Sequence, residues 1–362
     1  MKILELFGGI GACSKALERL GIDYEIADYV EVDKYAVKSF NAMHNTNFEP
    51  QDICKWNKDV EVDLIMHGSP CQDFSLAGKQ AGGDEGSGTR SSLMYETIRI
   101  VQKLRPKYVI WENVKNVISK KHRHNFDNYL NKMEELGYQN YWQVLNAKDY
   151  GIPQNRERVF TISIKNDIQN TFEFPPKQEL KLRLKDMLED EVDKKYYLSN
   201  KMADFFIYNE QKQIEKGNGF RFNVTDGNVI AKTITTRAGE RMDDNFIGNK
   251  ELYIKNATKQ GYSEAHDGDS VNLSYPNSKT RRGRVGEQVS QTLQCNDSMG
   301  VVNNDLRIRK LTPKECWRLM GFDDKDFEKV EKVNSNTQLY KQAGNSIVVN
   351  VLEAIFKNLF ID

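Results

Sequence analysis

Cysteine is scarce in this chain. The five residues among 362, Cys13, Cys54, Cys71, Cys295 and Cys316, form no Cys-x-x-Cys pair and no Cys/His cluster. That pattern argues against a metal site, zinc above all. The odd number and wide spacing point to reduced thiols and a cytoplasmic setting. Net charge is missing too, since 52 Lys and Arg balance 52 Asp and Glu. The molecule as a whole is no polycation, so a nucleic-acid site must arise from local clustering. No apolar run is long enough to cross a bilayer. No charged-then-apolar leader precedes the first residues, Met1-Lys2-Ile3-Leu4-Glu5, which read directly as a strand. Internal repeats and long low-complexity tracts are absent. With 39% apolar and 29% charged residues the composition is that of an ordinary globular protein, long enough for one large domain or two.

What is present is organised around Gly68-Ser69-Pro70-Cys71-Gln72. The apolar run from Val62 to Met66 reads as a buried parallel strand, and Gly and Pro then force a sharp loop. Cys71 is thereby expected at the carboxyl edge of a strand, where open α/β sheets place their ligands. A lone cysteine is more often a small buried hydrophobe, but the loop placement favours a nucleophile. Upstream, Ile3 to Phe7 reads as the first strand, Gly8-Gly9-Ile10-Gly11 as a turn and Ala12 to Leu20 as a helix. A glycine-rich turn between strand and helix lets backbone approach a ligand, although a packing turn fits equally well. The dinucleotide-type glycine spacing fails, because Ser14 holds the third glycine position.

The second strand, Tyr24 to Val32, carries Glu31 near its end, a position suited to ribose hydroxyls, and Asp33 opens a helix. Asp52-Ile53 follow a proline break. The strand Lys107 to Trp111 runs into Glu112-Asn113-Val114, which puts a carboxylate at the same sheet edge as Cys71. Asn155-Arg156-Glu157-Arg158 reads either as a surface ion pair or as a fixed fork aimed into the cleft. Helix–strand alternation stops near Pro175-Pro176. The expected architecture is α/β: a doubly wound, mostly parallel sheet over residues 1–176 and a smaller irregular β-rich domain over 177–306. A connecting helical region follows at 307–333, and 334–362 is a terminal helix returning to the first domain. Within 177–306 the cations Lys279, Arg281, Arg282 and Arg284 cluster near Gln294 and Asn296, side chains of the kinds that read guanine and adenine edges. A solvated surface explains such a run about as well.

Six stretches in order carry a resemblance. They are Leu6-Phe7-Gly8-Gly9-Ile10-Gly11, Gly68 to Gln72, Glu112-Asn113-Val114, Gln154-Asn155-Arg156-Glu157-Arg158, Arg309 to Glu315, and Gln342-Ala343-Gly344-Asn345-Ser346. Together they resemble the cytosine-C5 DNA methyltransferases of bacterial modification systems and phages. Glu5 departs from the commoner aspartate, Ser69 from Gly, Pro or Phe, and Val32 from an aromatic residue. The resemblance implies S-adenosylmethionine as donor, with S-adenosylhomocysteine as product. Phe7, Gly9, Ile10, Gly11, Glu31, Val32, Asp52, Ile53, Pro70, Leu93, Asn345 and Ser346 would hold it. It implies Cys71 as nucleophile toward cytosine carbon 6, with Glu112, Arg158 and Arg156 around the ring. Ser75 and Arg90 would approach duplex DNA, and Arg281, Arg282, Arg284, Gln294 and Asn296 would read it. A monomer is expected, with a role in protecting DNA from restriction. A tRNA-acting cousin lacks its expected Cys-Phe-Thr signature here, since Cys295 is followed by Asn296. A catalytically dead DNA-binding regulator sits poorly with intact Cys71, Glu112 and Arg158.

Overall fold

The computed structural model describes residues 1–70, 74, 82–84, 86–169, 171–219, 221–248, 252–259, 262–265, 269–272, 284–286, 299–301 and 308–361. They fall into two compact units. The first comprises Met1–Met187, Ile230–Arg237 and Pro313–Asp362, the second Leu188–Val229 and Ala238–Thr312.

The first unit begins with β1 (Lys2–Leu6), α1 (Ala12–Arg19), β2 (Glu25–Val30), α2 (Lys34–His44), β3 (Leu64–His67) and α3 (Met94–Leu104). It continues with β4 (Tyr108–Val114), α4 (Arg123–Glu135), β5 (Tyr138–Asn146), β6 (Gln154–Asn155) and β7 (Glu157–Lys165). Six of the strands form one sheet in the order β2-β1-β3-β4-β7-β5. The pairs from β2 to β4 are parallel, and β7 runs antiparallel to both its neighbours. The reversal follows from the connection: β5 and β7 are joined by only ten residues, 147–156, too few for a parallel crossover. The chain leaves β1 for β2 on one side and returns to β3 on the other. The carboxyl ends of β1 and β3 therefore flank a switch point, where such sheets open a crevice.

Both faces of this sheet are covered, so its central strands read as continuous apolar runs without alternation. All four residues of β3 and five of seven in β4 are buried. On one face Leu4, Leu6, Ile65, Val109, Trp111 and Val159 pack with Met94, Ile98 and Val101 of α3 and Phe126, Tyr129 and Met133 of α4. Each such side chain contributes about 1.5–3 kcal/mol by leaving water. The terminal helix Val349–Phe360 packs on α1 and brings the Phe360 ring to 5.2 Å from Tyr108 of β4. Asp33 caps α2 by accepting from the Tyr35 amide at 2.9 Å, and Gly21 (φ 66°) ends α1 in a left-handed turn.

The units divide at 187/188 where the sequence reading divides at 176/177, and residues 230–237, read as part of the irregular domain, belong to the first unit. Ala231–Lys232 pairs parallel with β6, and buried Gln154 fixes that register. Its side chain accepts from the Ile234 amide at 3.0 Å and donates to the Leu319 carbonyl at 2.6 Å. In the second unit the helix Asn200–Glu215 interrupts what the sequence reading treats as irregular. A small core of Phe206, Phe222, Phe246 and Ile308 lies beside a three-stranded sheet of Val224–Thr225, Phe246–Ile247 and Arg309–Lys310.

Gly344 shows how tightly the 230–237 segment is held. A Cβ there would fall 2.4 Å from the Thr236 nitrogen and 2.5 Å from the Thr235 carbonyl carbon, both backbone atoms. Gly344→Ala is expected to cost about 1–3 kcal/mol, read as a lower urea midpoint with unchanged slope. A midpoint equal to the parent's would mean the segment can yield.

Candidate active site

The turn after β1 is strained and pinned. Phe7 has φ 52°, a left-handed conformation that costs a non-glycine residue about 1–2 kcal/mol. β2 and the residues after it hold it in place. The Gly8 amide donates to the Val30 carbonyl at 3.2 Å, the Tyr29 hydroxyl to the Gly9 carbonyl at 2.5 Å, and the Gly9 amide to Glu31 Oε2 at 3.2 Å. A Cβ on Gly8 would meet the Tyr29 ring at 2.6 Å, whereas one on Gly9 would point into open space. Gly11, expected on the cofactor wall, sits elsewhere. Its φ is 79°, and a Cβ there would lie 2.6 Å from His44 Nε2 and 2.7 Å from Phe40 Cε2, so it serves the packing of α1 on α2.

Beside this turn a cleft of about 610 Å³ opens at the carboxyl edge of the sheet. Phe7, Gly9, Ile10, Glu31, Val32, Asp52, Ile53, Pro70, Leu93, Asn345 and Ser346 all line it, and so do Arg90, Glu112, Arg156 and Arg158. Apart from Gly11, every residue expected to hold the donor stands on this wall. Glu31 also accepts from the Asp33 amide at 2.8 Å. Burial raises its pKa, partly offset by the amides of Asp33 and Gly9. Ile53 is buried, while Val32 is 73% exposed at the rim. Asp33 pairs with Lys341 at 2.7 Å, tying the helix Asn336–Asn345 to the start of α2.

At the other end of the cleft β4 and β7 set a carboxylate against a guanidinium. Glu112 lies opposite Phe160 and Val114 opposite Arg158, so Glu112 and Arg158 are diagonal neighbours on one face. Arg158 Nε stands 3.0 Å from Glu112 Oε1. Burial pushes the Glu112 pKa up, and the charges of Arg158 and then Arg156 pull it part of the way back. Arg156 does not pair with Glu157, which bonds Lys115 at 3.0 Å instead. The buried Arg156 guanidinium donates to the carbonyls of Ile234 (3.1 Å), Gly344 (2.9 Å) and Ser346 (2.8 Å), which draws two remote segments to one wall.

Two further residues shape the site without having been given a role from the sequence. Trp111 Nε1 donates to Ser69 Oγ at 3.0 Å, and Asn113 Nδ2 donates to the Ser69 carbonyl at 3.2 Å. They fasten the chain immediately before Pro70. An indole and an amide flanking Glu112 on β4 were the available signal. Cys71, Ser75, Arg281, Arg282, Gln294 and Asn296 lie outside the described residues. Arg90 is exposed at the cleft rim. Arg284, expected to face DNA, is only 4% exposed. Among the described residues no group of three His, Cys, Asp or Glu could hold a metal, and no helix is long and apolar enough to cross a membrane.

Residues 1–360 match the family model for C-5 cytosine-specific DNA methylases. The chain belongs to that family. It is 34% identical to the orphan methyltransferase M.SPRI of Bacillus phage SPR, covering 99% of this chain and 97% of that one. It is 33% identical to the type II methyltransferase M2.ScrFI of Lactococcus lactis subsp. cremoris, with 99% of each covered. Against the type II methyltransferase M.HhaI of Haemophilus parahaemolyticus the identity is 32%, covering 99% and 94%. The fold is shared with the crystal structure of S. pombe Dnmt2 methyltransferase at TM-score 0.66 and 17% identity, with both chains covered completely. The protein is thus a DNA (cytosine-5-)-methyltransferase, whose reaction places a methyl group on carbon 5 of cytosine in DNA.

The methyltransferase carries one further buried acid whose titration reports on the glycine turn. Glu5 of β1 accepts from the Ser14 amide at 3.1 Å and from the Ser14 hydroxyl. Burial pushes its pKa from 4.5 up to about 7, which Ser14 only partly opposes. A folded-state pKa above the unfolded one favours folding while the group is protonated. Stability from neutral Glu5 is therefore complete below about pH 4.5 and is lost as the pH rises through about 7. The difference is on the order of 3 kcal/mol. Urea titrations at pH 4.5 and 7.5 are expected to show the parent losing more stability than Glu5→Gln over that interval. Parallel losses in both proteins would show that Glu5 ionises without penalty.

Proposed function

We propose that the methyltransferase takes its methyl group from S-adenosylmethionine and transfers it to a cytosine swung out of duplex DNA, with Cys71 bonded transiently to carbon 6. The observation that supports this most strongly is the Glu112–Arg158 pair on the wall of the same cleft that carries Glu31, Asp52 and Ile53. The cleft suits the donor chemically. Glu31 and Asp52 offer carboxylates to ribose hydroxyls and an exocyclic amine, while Ile53, Leu93 and Val32 offer apolar surface to a purine. The open space at Gly9 lets its backbone come close to the ligand. Phe7, Ile10, Pro70, Asn345 and Ser346 would complete the pocket. Bound there, S-adenosylmethionine supplies a methyl carbon made electrophilic by its sulfonium.

The residue types follow from the target. Carbon 5 of cytosine is a weak nucleophile. When the Cys71 thiolate bonds carbon 6, the electron pair of the ring double bond moves onto carbon 5 and toward ring nitrogen 3. Arg158 occupies Glu112 Oε1, while Oε2 faces the side-chain-free position at Gly68, 3.7 Å from where a Cβ would stand. Oε2 would carry a proton to nitrogen 3, a task that suits a carboxyl whose pKa is raised by burial. Arg158 would also reach the oxygen on carbon 2, in a preorganised contact. Carbon 5 would then take the methyl carbon as that carbon's bond to the donor sulfur breaks. Once a base has removed the carbon-5 proton, the C–H electron pair re-forms the 5,6 double bond, the bond between carbon 6 and the Cys71 sulfur breaks, and Cys71 leaves as the thiolate.

A base inside a stacked duplex is out of reach, so flipping is required. Arg90 and Ser75 would approach the DNA near the cleft. The second unit would read sequence, with Arg281, Arg282, Gln294 and Asn296 as candidates for base edges. The orphan phage and type II methyltransferases among the relatives support a role in DNA modification; protection of DNA from restriction by a monomeric enzyme is our extension of that reading.

Cys71→Ser is expected to abolish labelled methyl transfer to duplex DNA while retaining S-adenosylmethionine binding. Trapping on a duplex containing 5-fluorocytosine should be lost with it. Glu112→Gln should lower kcat about a hundredfold or more with donor affinity intact. Turnover by Cys71→Ser near the parent rate would rule out the covalent scheme.

A further inference from the structure

The connection from β4 to α4 holds positive charge at the unfavourable end of a helix. Between residues 115 and 127 stand Lys115, Lys120, Lys121 and Arg123 against one acid, Asp127. α4 starts at Arg123 with no acid in its first turn, although its N-terminus already carries partial positive charge. A local preference broken in this way marks a position kept for function. Several of the basic groups are matched from nearby: Lys115 by Glu157 at 3.0 Å, Arg123 by Asp127 at 2.7 Å and His124 by Asp84 at 2.8 Å. Lys120 and Lys121 are exposed, and they join no ion pair among the described residues.

Two more observations set this segment beside the reaction. Asn116 Nδ2 donates to the Phe74 carbonyl, and the buried Phe74 ring lies 5.3 Å from that of His122, so the segment grips the chain three residues beyond Cys71. Within it, Ser119 Oγ, His122 Nε2 and Asn125 Oδ1 are buried and have no hydrogen-bond partner among the described residues. Buried polar atoms without partners call for an explanation, and three in one short stretch single the segment out.

We propose that Lys120 and Lys121, together with the N-terminus of α4, hold DNA backbone phosphates beside the flipped nucleotide. This rests on the reading that DNA approaches the cleft at Glu112. Ammonium groups on flexible stems meet phosphate as point charges and carry no base code, so this seat supplies affinity and register while recognition comes from elsewhere. The helix N-terminus adds to the same attraction.

The test is binding of a fluorescently labelled, arbitrary-sequence duplex of about 20 base pairs across about 50–200 mM salt. Lys120→Ala/Lys121→Ala should make the slope of log K against log salt shallower by about 2 and weaken low-salt binding about tenfold. Lys120→Glu/Lys121→Glu should weaken it further, and Lys120→Arg/Lys121→Arg should restore it. The loss should be equal on unrelated sequences, with S-adenosylmethionine affinity and Tm held. An unchanged slope in the alanine protein, or a loss confined to one sequence, overturns the proposal and leaves the Glu112 reading standing. A parent protein with no salt-dependent duplex binding would instead overturn the DNA approach on which it depends.

Discussion

The first unit's cleft depends on a single buried guanidinium. Arg156 donates to carbonyls of Ile234, Gly344 and Ser346, which lie 78, 188 and 190 residues away along the chain. Carbonyls buried in a wall need donors, and a buried cation needs acceptors. Each requirement meets the other here. Without the guanidinium the loop bearing Asn345 and Ser346 would lose its fastening, and the cleft would lose the wall built from the end of the chain. Removing one partner of such an arrangement costs roughly 3–5 kcal/mol, far more than an exposed ion pair contributes. Gln154, two residues earlier, does the same work with an amide, bridging the Ile234 backbone and the Leu319 carbonyl. One short stretch between β5 and β7 thus gathers both distant pieces of the unit.

The reversed strand is the other structural condition. Because β7 runs antiparallel to β4, residues near its start lie opposite residues near the end of β4. The strand that follows Arg156 therefore delivers Arg158 to Glu112. In a parallel arrangement the start of β7 would face the start of β4, and the guanidinium would sit at the wrong edge of the sheet. Topology and electrostatics are linked through a two-residue offset in register.

Local features were legible in the sequence. The first strand, the glycine turn and α1 form one contiguous pattern, and the strands ending at Met66 and near Glu112 are apolar runs that stop where a polar residue must emerge. The position of each at the sheet edge follows from strand direction alone. What escaped was decided by residues far apart. Whether Arg156 paired with Glu157 or faced inward could not be settled by spacing, because the answer lies in carbonyls beyond residue 230. Gly11 looked like a ligand glycine, but Phe40 and His44 of α2 claim its open side. Arg284 looked like part of a solvated basic run and is buried. The helix Asn200–Glu215 was missed because Met202, Phe205, Tyr208 and Ile214 are exposed apolar residues, which blurs the stripe a sequence reading relies on.

In the proposed reaction the two reacting side chains make opposite demands on the local potential. A thiolate needs positive charge nearby, whereas a carboxyl that must keep its proton needs burial or negative charge. A uniformly basic cleft would satisfy Cys71 and strip Glu112. A uniformly apolar one would keep Glu112 protonated and leave the sulfur as an inert thiol. The described arrangement bears on the second demand. Burial acts on Glu112 most strongly, and Arg158, bound to one carboxyl oxygen, offsets only part of that effect. The guanidinium thereby keeps positive charge at the sheet edge while burial still holds its partner's pKa above the ordinary carboxylate value. A lysine at 158 would lose the planar geometry that lets Nε hold Glu112 Oε1 while Nη1 donates to the Glu157 carbonyl at 2.8 Å, so charge alone does not explain why arginine stands there.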